Sequence, residues 1–166
     1  MTDDDAGRPD DGFTHIDEEG RARMVDVGDK APSRRRAVAE GRIRMRPETL
    51  EAIRAHEVEK GDVLTVARLA AVGGAKSTPD MIPLCHPLPL DGVEVEIEET
   101  ADPPGLRMTV EVTTRAATGV EMEALCAVST GLLAVYDMCK GRDRGMSVEG
   151  VRLLLKEGGR SGRWTR

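Results

Sequence analysis

A chain of 166 residues is long enough to bury one core, but it holds only one Phe, one Tyr and one Trp. That core must therefore be built from Leu, Val, Ile, Met and Ala, and the scarcity of rings argues against a surface that stacks nucleic-acid bases. A formal net charge of −6 argues against a general polyanion binder, so an anionic ligand would need a locally basic pocket.

The charge is unevenly spread. Residues 1–12 (MTDDDAGRPDDG) hold five Asp and one Arg, lack apolar anchors and read as a disordered acidic tail. Residues 158–166 (GGRSGRWTR) are rich in Gly and Arg and suit either a frayed tail or a loop that closes over phosphates. Residues 13–157 between them form a single domain. The three cysteines, Cys85, Cys126 and Cys139, are odd in number and lack CxxC spacing, which points to a reducing compartment. No basic-plus-apolar leader opens the chain, and no apolar run approaches the roughly 20 residues of a membrane span. A cytoplasmic protein without membrane or nucleic-acid partners is expected.

Within the domain the first element spans residues 34–46, where Ile43 and Met45 alternate with Arg42, Arg44 and Arg46 as in a strand with a solvated face. Pro47 suits the first position of a helix, and ETLEAIRAHEVE supplies a short amphipathic one that Lys60-Gly61 breaks. Asp62 can cap a second helix, with Val63, Val66, Ala67 and Ala70 at helical spacing. Residues 75–90 (AKSTPDMIPLCHPLPL) follow. Pro79, Pro83, Pro87 and Pro89 argue against regular structure there and predict a stiff loop, a usual place for functional groups. VEVEIEE, the turn DPPG and LRMTVEV then make a β-hairpin with Val93, Val95 and Ile97 on one face and Glu94, Glu96 and Glu98 on the other. A long helix from about Glu121 to Cys139 and a last strand at VRLLLK complete the order. Strand, helix, helix, hairpin, helix, strand favours an α+β fold, an antiparallel sheet with helices packed on one face.

The long helix has two stripes. Leu125, Ser129, Leu132 and Tyr136 have the bulk for a core, whereas Glu123, Ala127, Thr130, Ala134 and Asp137 are small in the middle and charged at the ends, with Lys140 three residues further. The small stripe suits close packing of another helix, in the same chain or across a subunit interface, or a face that admits a ligand. Lys140 is favourable at a helix C-terminus and Asp137 is not, so Asp137 is either paired or kept for a task. General acid–base groups (His86, Glu121, Glu123, Asp137, Lys140) and cations for phosphate (Lys60, Lys76, Lys156) are available together. Cys85 and His86 make a poor nucleophilic dyad, since neighbours in extended chain point apart, and without a second cluster they do not make a zinc site.

Taken in series, THI, MVDV, KGDV, IPLCHPL, TGVEMEAL and YDMCK resemble the molybdenum cofactor biosynthesis protein C (MoaC) family, the cyclic pyranopterin monophosphate synthases, from about Phe13 to Gly162. The resemblance implies a ferredoxin-like α+β domain assembled as a homohexamer, a trimer of dimers, with sites at subunit boundaries. It implies a lyase that rearranges (8S)-3',8-cyclo-7,8-dihydroguanosine 5'-triphosphate, made by a radical-SAM partner enzyme, to cyclic pyranopterin monophosphate and pyrophosphate. It implies neither metal nor organic cofactor. By the same resemblance Asp137 and Lys140 are catalytic, and Leu84, Cys85 and His86 form a substrate-contacting loop. Met122 and Glu123, with Glu121 beside them, form a second contact region, and Lys60, Lys76 and Lys156 lie near the substrate.

The chain departs from the family pattern at Ser77, where an arginine is common, and at Gly73-Gly74-Ala75, where the family tends to alanine. Arg160 or an arginine near Arg35 is the expected substitute cation. Two rival readings remain: a nucleotide-binding scaffold that holds or channels the intermediate without converting it, and a purely structural oligomer.

Overall fold

The computed structural model describes residues 21–159 and 162–166. The acidic segment 1–12, the THI string and Arg160 lie outside the described residues.

Strand β1 (Ser33–Arg44) leads through helix α1 (Pro47–Arg54) to helix α2 (Val63–Lys76) and the single turn α3 (Thr78–Met81). The hairpin β2 (Gly92–Ala101) and β3 (Pro104–Ala116) follows, then helix α4 (Glu121–Cys139), strand β4 (Ser147–Glu157) and the short β5 (Arg163–Thr165). The sheet order is β2-β3-β1-β4-β5, with each neighbouring pair antiparallel. With β1 and β3 at the centre and α2 and α4 on one face, this is the ferredoxin-like α+β arrangement expected.

The alternation in β1 sorts its side chains. Ala37, Ala39 and Ile43 are fully buried, whereas Arg42 and Arg44 are exposed. On the open side, Glu94 and Glu111 stand directly opposite in the hairpin, a destabilising pair of like charges. Arg36 offsets it with two bonds of 2.7 Å to the Glu111 carboxylate, and it reaches Glu157 at 3.1 Å. The alternation in β2 holds too, with Val93, Val95 and Ile97 partly buried and Glu94, Glu96 and Glu98 exposed.

Four expectations need correction. Residues 78–81 of the proline segment form a helical turn, because a proline in the first turn of a helix gives up no intrahelical bond. Helix α1 stops at Arg54, short of Glu59, and His56 follows with a φ of 56°. In α4 the core stripe is Ala124, Val128, Leu132, Val135 and Cys139, one residue round from the bulkier stripe, of which only Leu132 is buried. In α2, Ala71 and Gly74 replace the exposed Val66 in the core. The structure also adds a feature at the C-terminus, where residues 163–165 pair with β4.

The small stripe of α4 packs within the chain, against α2. Ala127 is fully buried and the Thr130 hydroxyl donates to the Ala70 carbonyl at 3.1 Å. A Cβ on Gly74 would lie 2.9 Å from the Thr130 Cβ, so the helices approach as closely as backbones allow. Against the expectation of no apolar run near the length of a membrane span, helix α4 has that length and apolarity, yet it lies packed against α2 and the sheet like the core helix of a globular domain.

The paired glycines in α2 give a sharp contrast. Gly74→Ala is expected to destabilise the fold by about 1–3 kcal/mol through overpacking against Thr130. Gly73→Ala, whose Cβ meets nothing within 4 Å, should stabilise it by about 0.5–1 kcal/mol. Urea midpoints of the two variants check both signs.

Candidate functional site

Helix α4 carries the candidate side chains at its two ends. At its N-terminal end Glu121, Met122 and Glu123 lie in the first turn, where the helix dipole favours carboxylates. Together with Leu84, Cys85 and His86 they line a cavity of about 400 Å³. The loop and the second contact region, 35 residues apart in sequence between His86 and Glu121, therefore share one wall. Val25, Val27, Lys30, Leu88, Thr118 and Gly119 complete it. The Glu121 carboxylate lies over Gly119, where a Cβ would come 1.9 Å from Oε2.

The charges at this end are differentiated. Glu121 is paired with Lys156, Nζ to Oε1, at 2.8 Å. Glu123 is 3% exposed, and burial pushes its carboxyl above the ordinary value. Its own backbone N–H opposes that rise and the Glu121 charge adds to it. Burial also raises the Cys85 thiol, followed by the nearby Glu123 and Cys126, so Cys85 stays a thiol and offers contact rather than a thiolate nucleophile.

At the C-terminal end, two ammonium groups converge on Asp137. Lys140 Nζ is 2.6 Å from Oδ1, and Lys60 Nζ donates to Oδ2 at 2.8 Å and to the Asp137 carbonyl at 2.8 Å. The bond from Lys140, then that from Lys60, hold the carboxyl down at about 2, and Asp137 in turn raises Lys140. This answers the question of an acidic group at a helix C-terminus: the unfavourable dipole is offset by two cations rather than one.

Lys60 reaches that position because α2 starts just after it. Gly61 turns the chain with a φ of 101°, and the Asp62 carboxylate caps α2 by accepting from Leu64 N at 3.0 Å and Thr65 N at 3.1 Å. A second cavity, of about 460 Å³, opens beside Lys60, with Thr49, Cys139 and Arg142 in its wall. Helix α2 runs antiparallel to α4, so Lys76, exposed at its C-terminal end, lies toward the Glu123 end.

The two groups do not meet within one chain. Glu123 and Asp137 are fourteen residues apart on one helix, which at a rise of about 1.5 Å per residue separates them by about 21 Å. Lys156, Glu121 and the Cys85-His86 loop belong to one end, and Lys60, Asp137 and Lys140 to the other.

Sequence reasoning missed Lys30, whose place in the cavity wall follows from a local turn (Lys30 N to Val27 O, 3.1 Å) without any spacing signal. It named an arginine near Arg35 only as a substitute cation in a strand with a solvated face. Arg35 is instead tied down, donating to the Ala116 carbonyl at 3.2 Å and the Ala117 carbonyl at 3.1 Å, next to the Thr118-Gly119 part of the cavity wall. The strict alternation of a strand was the available signal, since Arg35 has the parity of the buried Ala37 and Ala39. Among the described residues no group of three or more His, Cys, Asp and Glu side chains is arranged to hold a metal ion.

Fold and site together define a ferredoxin-like α+β domain whose polar chemistry rests on carboxylates and ammonium groups at the ends of one helix. The MoaC family model matches residues 24–159, and the chain belongs to the MoaC family. A cyclic pyranopterin monophosphate synthase of Methylobacterium sp. (strain 4-46) is 60% identical over 150 residues, 90% of this chain and 94% of the relative. The Methylobacterium nodulans protein of the same name is 58% identical over the same shares. That of Cereibacter sphaeroides is 56% identical over 155 residues, 92% of this chain and 96% of the relative.

Glu123 has a pH signature. The folded protein holds its proton to higher pH than the unfolded chain, so above the ordinary value of 4.5 the unfolded state binds fewer protons and stability falls as pH rises. Glu123→Gln removes that decline. Urea midpoints between pH 4 and 8 should show the variant gaining on the wild type as pH rises, and parallel profiles would contradict the assignment.

Proposed function

We propose that this protein is a cyclic pyranopterin monophosphate synthase acting in molybdenum cofactor biosynthesis, a phosphorus–oxygen lyase. Its substrate is (8S)-3',8-cyclo-7,8-dihydroguanosine 5'-triphosphate and its products are cyclic pyranopterin monophosphate and pyrophosphate. The observation that carries the reading is the convergence of Lys60 and Lys140 on Asp137 in a chain 56–60% identical to proteins of that name.

Forming a cyclic monophosphate from a triphosphate requires a substrate hydroxyl to attack the α-phosphorus while its proton passes to a basic group of the site. The bond from that phosphorus to the bridging oxygen breaks, and pyrophosphate leaves with the electron pair. Lysines near the phosphates stabilise the charge on that leaving group, the role assigned to Lys60, Lys76 and Lys156, with Arg35 the substitute for the cation missing at Ser77. Asp137 and Lys140 transfer protons as the guanine-derived rings open and close. His86, Glu121 and Glu123, with Leu84, Cys85 and Met122, orient the purine part.

A carboxylate held at about 2 is a weak base. Substrate phosphate competing for Lys60 draws one ammonium off Asp137 and raises its basicity when the reaction needs it. The separation of about 21 Å between the helix ends supports a site assembled from two copies, one giving the Glu123 end and the other the Asp137 end. A homohexamer built as a trimer of dimers provides such boundaries. The substrate comes from a radical-SAM cyclase, and the reaction runs in the cytoplasm without metal or organic cofactor.

Turnover of the cyclised dihydro-GTP, followed by pyrophosphate release and the fluorescent oxidised pterin, tests the reading. Asp137→Asn and Lys140→Ala should each lower kcat by about 10²–10⁴-fold while substrate still binds. Near-normal turnover in both would remove the acid–base assignment, and tight binding without product by the wild type would favour a scaffold that holds the intermediate. Mixing inactive Asp137→Asn with inactive Glu123→Ala under subunit exchange should restore activity in about a quarter of the sites, those built from the two intact ends. No recovery would place each site within one chain.

A further inference from the structure

We propose that Asp143 is a positioning residue for the Asp137 centre, clamping the turn after α4 to the start of α1 so that Lys140 and Lys60 meet on one carboxylate. The proposal rests on the reading of Asp137 as the acid–base group. Asp143 touches none of the reacting groups and acts through the two lysines.

Helix α1 begins without a side-chain cap from its own N-cap residue, Arg46. Asp143, 97 residues further along the chain, instead takes the N–H of Arg46 itself, the donor that a capping-box side chain in the first turn would take. Its Oδ2 accepts the Arg46 N–H at 2.9 Å and the Thr49 hydroxyl at 3.3 Å, while Oδ1 accepts the Gly145 N–H at 3.0 Å and faces Arg46 Nε at 3.4 Å. The Arg46 guanidinium also donates to the Arg142 carbonyl. A Glu or Gln in place of Thr49 could have taken the Arg46 N–H locally. Drawing the acceptor from beyond α4 joins two segments that local capping would leave independent.

Those segments carry the two lysines. From the end of α1 at Arg54 the chain runs six residues to Lys60, and Lys140 stands three residues before Asp143. The turn between them is stiff, since the N–H groups of Arg142 and Asp143 both bond to the Cys139 carbonyl, at 2.9 and 3.0 Å. Asp143 is 4% exposed and Thr49 is 1% exposed, so loss of the clamp leaves buried donors without partners. Burial opposes ionisation of Asp143, but the Arg46 and Gly145 amides and the Arg46 charge outweigh it and hold the carboxyl below the ordinary range.

The test is a ¹³C-carboxyl NMR titration of the full chain, with the Asp137 signal identified by its loss in Asp137→Asn. In the wild type Asp137 should remain ionised down to about pH 3, because its midpoint lies at about 2. In Asp143→Asn the midpoint should climb toward the ordinary value of about 3.9. At the same time kcat should fall roughly ten- to a hundredfold, with KM changed far less. A folded Asp143→Asn with an unmoved Asp137 midpoint overturns the proposal. Should that variant fail to fold, Thr49→Val decides by the same titration: an upward shift supports the clamp, and an unmoved midpoint overturns it. Thr49→Ser, which keeps the hydroxyl, should titrate like the wild type. If Asp137→Asn retains turnover, the acid–base reading fails while the titration still decides whether Asp143 sets the pairing.

Discussion

The structure depends on how closely α4 approaches its neighbours. A core with almost no aromatic bulk cannot fill a wide gap between helix layer and sheet, so density must come from short distances between backbones. Small residues sit where α4 crosses other elements. A Cβ on Gly41 of β1 would lie 2.7 Å from Val128 Cγ1, and one on Gly131 would lie 2.5 Å from Met108 Sδ and 3.1 Å from the Ala71 Cβ. With Gly74 against Thr130, these contacts fix α4 against β1, β3 and α2 at once.

That packing fixes where the polar groups fall. The middle of α4 is uncharged even at the exposed Leu133, and its charged residues stand at its two ends. Glu121 and Glu123 open the helix, and Asp137 and Lys140 close it. Antiparallel α2 brings Lys60 to one end and Lys76 toward the other, and β4 brings Lys156 to Glu121. The same close contact that stabilises the domain therefore sets the spacing between its two charged centres.

The centres differ in electrostatic character. Around Asp137 two exposed lysines favour the ionised carboxylate, and exposure lets solvent and an incoming anion compete for those lysines. Around Glu123 burial dominates and favours the neutral acid, in a cavity with a protonated thiol in its wall. One helix thus presents a carboxyl pushed down and a carboxyl pushed up, a separation of acid–base character useful for moving protons in opposite directions.

Much of this was legible in the chain. Alternation placed β1 and the hairpin, Asp62 marked the start of α2, and the small stripe of α4 pointed to a close helix neighbour. The candidate residues at both ends of α4 were named from the chain itself. What failed were questions of rotation and termination: a one-residue turn of the core stripe toward Val128, the loss of Val66 to the surface, the end of α1 at Arg54, and a helical turn over Thr78–Met81. Spacing reports which residues share a face, but which face is buried depends on what packs against it. Likewise Asp137 had one visible partner, Lys140, three residues on. Its second partner, Lys60, lies 77 residues away, as the Asp143 cap of α1 comes from 97 residues away. By itself the sequence determined the main elements other than α3 and β5, their order and the chemistry available, because these follow from local periodicity and residue type. Only the tertiary structure decided which charges meet, because pairing across such separations is set by the packing of α2, α4 and β1.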